Sequence, residues 1–359
     1  MGQIFKIQEK GRDEELGLIK KQITSDNSNF CFDSPVVSQR ANKFDPDIKI
    51  QEIIRHIDEK VVDSLVTRHI KPFADAVKEE FATDKLNATL FDFKYNDFPS
   101  DDNLRVIAHA LHGASDKVVF LPTVKKALLM GDRPGLKTPS LSLDRIESYK
   151  KMMKLIIDEI RMPKNGKEIV GMVPFLPSKF ARPIIDFYAS EGIRAFAIDC
   201  GFNDIMDYED DFAYLLSTIK KSVIPLEQTV IFAFNAGIGP SYEATEIVSD
   251  DFLGVFAYVD VLGSTFKQRG GGDSEPRAKV FSRDKYAYDI RRYPDLRPQF
   301  GKYVNPATIR NFNKSEQRKE TAKIRDLVGV EKMKKYLATK PAVNQDSMKH
   351  LESIARKIG

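Results

Sequence analysis

The chain is poor in cysteine: Cys31 and Cys200 are the only two among 359 residues. Two thiols cannot build a disulfide framework, and their spacing fits neither a zinc ribbon nor a CxxC redox motif. A reducing compartment is therefore expected. Long apolar runs are lacking as well. No stretch approaches the roughly 18 apolar residues of a membrane-spanning helix, and the first residues form no apolar signal core. The expectation is a cytoplasmic protein with no membrane partner. Internal repeats and low-complexity tracts are also absent, which excludes repeat solenoids.

What is present suits a sizeable globular core. Hydrophobic residues make up 42% and charged residues 30% of the chain, ordinary proportions for a folded domain. The net charge of +4 is spread unevenly. Residues 264–359 carry 23 Lys/Arg against 11 Asp/Glu, a surplus of +12, so residues 1–263 are net −8. A basic last quarter points to a polyanionic partner, with nucleic acid the first choice. The plainer reading is a solvated helical arm.

Short alternating segments around Phe5-Lys6-Ile7 predict a small β extension over 1–30. Eight β-like runs follow, at 34–38, 61–67, 89–94, 117–123, 168–176, 194–200, 229–235 and 255–262. Helical periodicity separates many of them, as at 143–160, 181–190 and 212–221. Near-continuous apolar strands alternating with helices predict a parallel sheet buried on both faces. Eight units favour an α/β fold of the (β/α)8 TIM-barrel type over 31–263, with an open doubly wound sheet as the alternative. A basic Arg/Tyr-rich segment occupies 264–314, and a C-terminal helical arm covers 315–359.

Several residues carry chemistry in this frame. Asp199 and Asp260 are placed at or near strand C-terminal ends, where barrel enzymes keep their bases and nucleophiles. Both can equally be capping or packing acids. Gly237 and Gly239 lie in Asn235-Ala236-Gly237-Ile238-Gly239-Pro240, a loop suited to cradling phosphate or simply to a tight turn. The third glycine of a dinucleotide fingerprint is missing. His109 and His112 share a helix face, but two imidazoles without further ligands make no zinc site. No metal or cofactor is expected. Lys267, Arg269, Arg277, Arg283, Arg291, Arg292 and Arg297 interleave with Phe281, Tyr286, Tyr288 and Tyr293. Arginine beside aromatics suits phosphate pairing and base stacking. A linker packed on the barrel is the competing reading.

Collinear stretches across nearly the whole chain resemble the tRNA-guanine transglycosylase family in its archaeal form. They include Asp33-Ser34-Pro35-Val36-Val37, Met130-Gly131-Asp132, Gly171-Met172-Val173-Pro174, Ala197-Ile198-Asp199, Val230 to Gly237, and Val259-Asp260-Val261-Leu262-Gly263-Ser264. The resemblance implies a (β/α)8 barrel that exchanges a guanine in tRNA for a 7-deazaguanine, as in queuosine and archaeosine formation. It also marks departures. The family's nucleophilic acid position reads Gly263, and its second acid falls on Leu121. Its base-reading glutamine falls near Pro174 and Phe175, and its glycine pair near Gly201. Its zinc cysteines have no counterpart after Cys200, and the zinc histidine reads Phe312.

Covalent base exchange needs a carboxylate nucleophile and a second acid. The resemblance thus implies a nucleic-acid-binding barrel without the standard exchange site. Such a protein would serve as the partner of an active relative, in a homo- or hetero-oligomer. The alternatives are an active ribosyl or base transferase using Asp260 or Asp199, and a small-molecule barrel enzyme that binds phosphate.

Overall fold

The computed structural model describes residues 5–25, 30–40, 46–68, 70–129, 141–163, 166–201, 203, 205–222, 225–237, 244–265 and 277–359. Three antiparallel strands open the chain: β1 (Phe5–Arg12), β2 (Ile19–Ser25) and β3 (Cys31–Asp33). Gly17 turns β1 into β2 with φ at +70°, a conformation that glycine adopts without strain.

Two parallel sheets follow. The short strands β4 (Val36–Val37) and β5 (Gln39–Arg40) are separated only by Ser38. From β5 a three-stranded sheet runs through β6 (Ile50–Ile57) and, after helices α1 (Glu59–Arg68) and α2 (Ile70–Lys78), β7 (Leu86–Phe93). Helix α3 (Asp101–Gly113) leads to β8 (Val118–Phe120), and α4 (Lys125–Leu129) and α5 (Leu143–Arg161) to β9 (Glu168–Pro174). Helix α6 (Ser178–Ser190), β10 (Ala195–Asp199), α7 (Glu209–Ser222) and β11 (Val230–Phe234) continue the alternation. After β12 (Glu246–Val248) and α8 (Asp250–Leu253) comes β13 (Val261–Leu262). The six-stranded sheet has the order β4-β13-β11-β10-β9-β8. A parallel bridge, Asp92↔Thr123, joins the end of β7 to the residues after β8. Thr123 N donates to Phe91 O at 2.8 Å, and Phe93 N to Thr123 O at 3.0 Å. The molecule is thus of mixed α/β class, as the strand–helix alternation predicts.

One strand was expected in the wrong place. Residues 61–67 form most of α1, because Val62 and Leu65 are the buried pair at helical spacing while Asp63, Val66 and Thr67 are exposed. The Asp58 carboxylate accepts from Val61 N at 2.9 Å and starts the helix. The strand is instead Ile50–Ile57, with Glu52 buried within it. The run 255–262 also shrinks to Val261–Leu262, since Gly254–Phe256 form a 3-10 turn.

Apolar side chains of the strands pack closely against one another. Phe120 meets Phe232 and Phe234 edge-on, at centroid distances of 5.0 and 6.0 Å. Strand β8 ends at Phe120, and Leu121 N closes the ladder on Val170 O. The Met172 carbonyl is met by two tyrosine hydroxyls instead, Tyr149 Oη at 2.6 Å and Tyr188 Oη at 3.0 Å, themselves 2.7 Å apart. Burial raises both phenol pKa values. Tyr149→Phe is expected to cost about 1 kcal/mol, since Tyr188 still serves the carbonyl. The double Tyr149→Phe/Tyr188→Phe should cost more than the two singles combined, because it orphans a buried acceptor. Urea unfolding of the three variants measures this.

The C-terminal part is a second small assembly. Strands β14 (Arg277–Ser282) and β15 (Ala287–Arg292) form a hairpin with β12 on its edge. Helices α9 (Arg297–Phe300) and α10 (Pro306–Leu327) close a small core of Ala278, Val280, Leu296 and Ile309, flanked by Phe300 and Phe312. Helices α11 (Met333–Leu337) and α12 (Gln345–Ile358) follow. Buried Glu320 ties them to the hairpin: Tyr286 Oη and Tyr336 Oη donate to it, and Lys340 Nζ lies 3.2 Å away. No helix among the described residues is long and apolar enough to cross a membrane.

Candidate functional site

Parallel strands gather their C-terminal residues at one end, and here that end carries polar groups. At the tip of β7, Asp92 is 3% exposed. Its carboxylate accepts from Thr123 Oγ1 at 3.0 Å and Lys94 Nζ at 2.6 Å, and lies 3.1 Å from His56 Nδ1. His56 and Asp92 are register partners on β6 and β7. Half of the His56 side chain is exposed, so its ring links a buried acid to solvent.

Four residues before His56 on β6, Glu52 accepts from Ser38 Oγ and from Ser264 N, the latter at 2.8 Å. Its second oxygen, Oε2, is buried without a partner. At the tip of β10, Asp199 is fully buried and accepts from Asn235 Nδ2 at 2.7 Å and Gly201 N at 3.1 Å. Asn235 has φ at +55°, a left-handed conformation that asparagine tolerates better than most residues. It aims its amide at the acid. Asp92, His56 and Glu52 carry no local motif. Only the placement of β6 marks the last two, and the apolar residues of α1 draw that strand one element too late.

The expected site residues divide clearly. Pro174 is the register partner of Asp199, Phe175 N donates to Asp199 O at 3.0 Å, and Gly237 N reaches Asn203 O at 3.3 Å. Asp199, Pro174, Phe175, Gly201 and Gly237 are therefore brought together. The Phe175 ring packs edge-on to Tyr208 and near Phe212, 6.0 and 6.2 Å away. Gly239 lies outside the described residues.

Asp260 requires correction. It precedes β13, and its backbone N donates to Ile231 O near the start of β11. It therefore stands at the N-terminal end of the strands, opposite to the expected end. There it is 2% exposed and 2.7 Å from Lys21 Nζ of β2, also 2% exposed. Ser34 Oγ (2.8 Å) and Ile231 N (2.9 Å) complete its shell. This carboxylate pins the N-terminal strands under the parallel ones.

The two positions marked by the departures are both closed. Leu121 is fully buried in the core. A Cβ on Gly263 would overlap the Phe234 ring and lie 3.0 Å from Ala233 O.

The basic set splits as well. Arg277, Arg291, Arg292 and Arg297 are exposed around the open end of the β14–β15 hairpin, where Arg277 faces Arg292 across the strands. Arg283 sits at the turn end, with Nε 3.7 Å from Glu316 and 3.9 Å from Glu320. Lys267 and Arg269 lie outside the described residues. No group of three or more His, Cys, Asp or Glu among the described residues could hold a metal ion. His109 instead pairs with Glu159 at 3.0 Å, and burial lowers the His112 pKa to about 4. None of the known protein families matches the chain, and no curated protein matches it.

Proposed function

We propose that the protein is a transglycosylase-like barrel, linked to 7-deazaguanine modification of tRNA or DNA, that binds nucleic acid without exchanging guanine. In this reading the parallel strands close into one eight-membered ring. Ser38 is the hinge at which β4 and β5 make a single strand, and the Asp92↔Thr123 bridge joins β7 to the β8 segment. The ring's N-terminal end is sealed by the Lys21–Asp260 pair, and its polar end holds Asp92, Glu52 and Asp199.

The observation that carries the reading is Gly263, packed under Phe234 so tightly that no carboxylate can stand there. The exposed Arg277, Arg291 and Arg292 of the hairpin, with Arg297 of α9, then supply nucleic-acid affinity, and an active relative supplies the chemistry.

The test combines labelled-guanine exchange into tRNA with a tRNA gel shift at several salt concentrations. The lone protein should show no exchange. Its affinity should fall with salt, by a log–log slope of about 0.7–0.9 per phosphate contacted. Arg291→Gln/Arg292→Gln/Arg297→Gln should weaken binding about tenfold or more and flatten that slope. Robust exchange, or binding indifferent to salt, would overturn the proposal.

A second reading rests on Asp199 and Asp92, both buried acids at strand C-terminal ends. It keeps a transferase whose reacting acid is Asp199. If exchange is found, Asp199→Asn should abolish it. Unchanged turnover would leave Asp199 a positioning group for Asn235.

A further inference from the structure

Between the polar strand ends and helix α10 lies a cavity of about 170 Å³. Its wall includes Ser264 and Thr265 after β13, and Arg310, Asn313 and Lys314 of α10. The groups left unused there are donors. Lys314 is 8% exposed, and its ammonium donates to Gly263 O at 3.1 Å. An ammonium carries three protons, and no described residue accepts the other two. The Ser264 hydroxyl is 3% exposed and buried without a partner. Arg310 stands one turn before Lys314 on the same face of α10, exposed and without a carboxylate partner among the described residues.

A third cation backs them. Arg40 donates to Thr265 O at 2.6 Å, and its Nε is buried without a partner. Arg310 and Arg40 repel each other, as do Arg40 and Lys314. Two acids offset part of this charge: Glu52 attracts both Arg40 and Lys314, and Asp251, which accepts from Tyr288 Oη and Phe252 N at 2.9 Å each, attracts Lys314. Burial lowers the Lys314 pKa and raises that of Asp251. The three cations still outnumber the two acids, so an anion entering the half-enclosed space would balance the remaining positive charge.

We propose that this cavity binds a phosphoryl group, held by Lys314, Arg310 and the Ser264 hydroxyl with Arg40 behind them. Donors converging from a helix and from a strand end suit a tetrahedral oxyanion. The phosphoryl group belongs either to free phosphate or to the backbone of a nucleic acid.

The experiment titrates inorganic phosphate into the full chain, followed by calorimetry and by thermal shift. A short single-stranded oligonucleotide is titrated in parallel. Phosphate should bind and raise the melting temperature. Arg310→Gln and Ser264→Ala should each weaken it, Arg310→Gln about tenfold, while Arg194→Gln, at an exposed position just before β10 and outside the cavity wall, leaves it unchanged. Because Arg310 is exposed, its variant should fold normally, so failure of Lys314→Met to fold would not obscure the result. If the oligonucleotide competes with phosphate and weakens in step, the group is a backbone phosphodiester. If only phosphate binding is lost, the pocket takes a free phosphate or monoester. Phosphate affinity that is undetectable, or unaffected by both Arg310→Gln and Ser264→Ala, overturns the proposal.

Discussion

Asp260→Ala should cost about 3–5 kcal/mol of folding stability, the usual effect of stripping one partner from a buried ion pair. The ammonium of Lys21 would keep only the Thr229 carbonyl, 2.8 Å away, and could not be solvated. Ile231 N and Ser34 Oγ would lose their acceptor as well. The same loss should follow from Lys21→Met, while Lys21→Met/Asp260→Leu should recover part of it, since an apolar pair removes both charges. Urea or guanidinium denaturation of the three variants provides the measurement. A folded Asp260→Ala within about 1 kcal/mol of the parent would contradict the pinning role and return Asp260 to the list of reactive acids.

Gly263→Asp is expected to destabilise the fold by about 3 kcal/mol and to create no guanine exchange. Even Gly263→Ala places a methyl group inside the Phe234 ring, and overpacking of this kind usually costs about 1–3 kcal/mol. The aspartate adds a carboxylate to be desolvated. Relief requires Phe234 to move, yet that ring stacks with Phe232 and meets Phe120 at the centre of the interior. Thermal melting and a labelled-base assay on the same preparation decide the matter. A stable, exchanging Gly263→Asp protein would show that the scaffold still has room for the missing acid.

How much of this was legible in the sequence depended on which way each side chain faces. Helices α5, α6 and α7 announced themselves, because apolar residues such as Ile146, Tyr149, Met153 and Ile156 keep one buried face. Strands β9, β10 and β11 did too, being apolar on both sides. Strand β6 was hidden by its own chemistry: Glu52 and His56 point to the same side as polar residues, so the run reads as a solvated segment. The apolar Val61, Val62 and Leu65 of α1 then drew the strand one element too late. Asp260 misleads for a related reason. Its strand spans only Val261–Leu262, so a residue at its beginning looked like one near its end. The 277–312 region reads as a charged linker, since the small core that orders it needs only Ala278, Val280, Leu296 and Ile309.

The buried phenols of Tyr149, Tyr188 and Tyr286 have an optical consequence. The chain contains no tryptophan, so tyrosine dominates its near-ultraviolet absorption and emission. Burial holds these three phenols protonated well past the alkalinity that ionises exposed ones. In an alkaline titration their phenolate signal should therefore arrive together, at the collapse of the interior, as an internal indicator that the packed state has been lost.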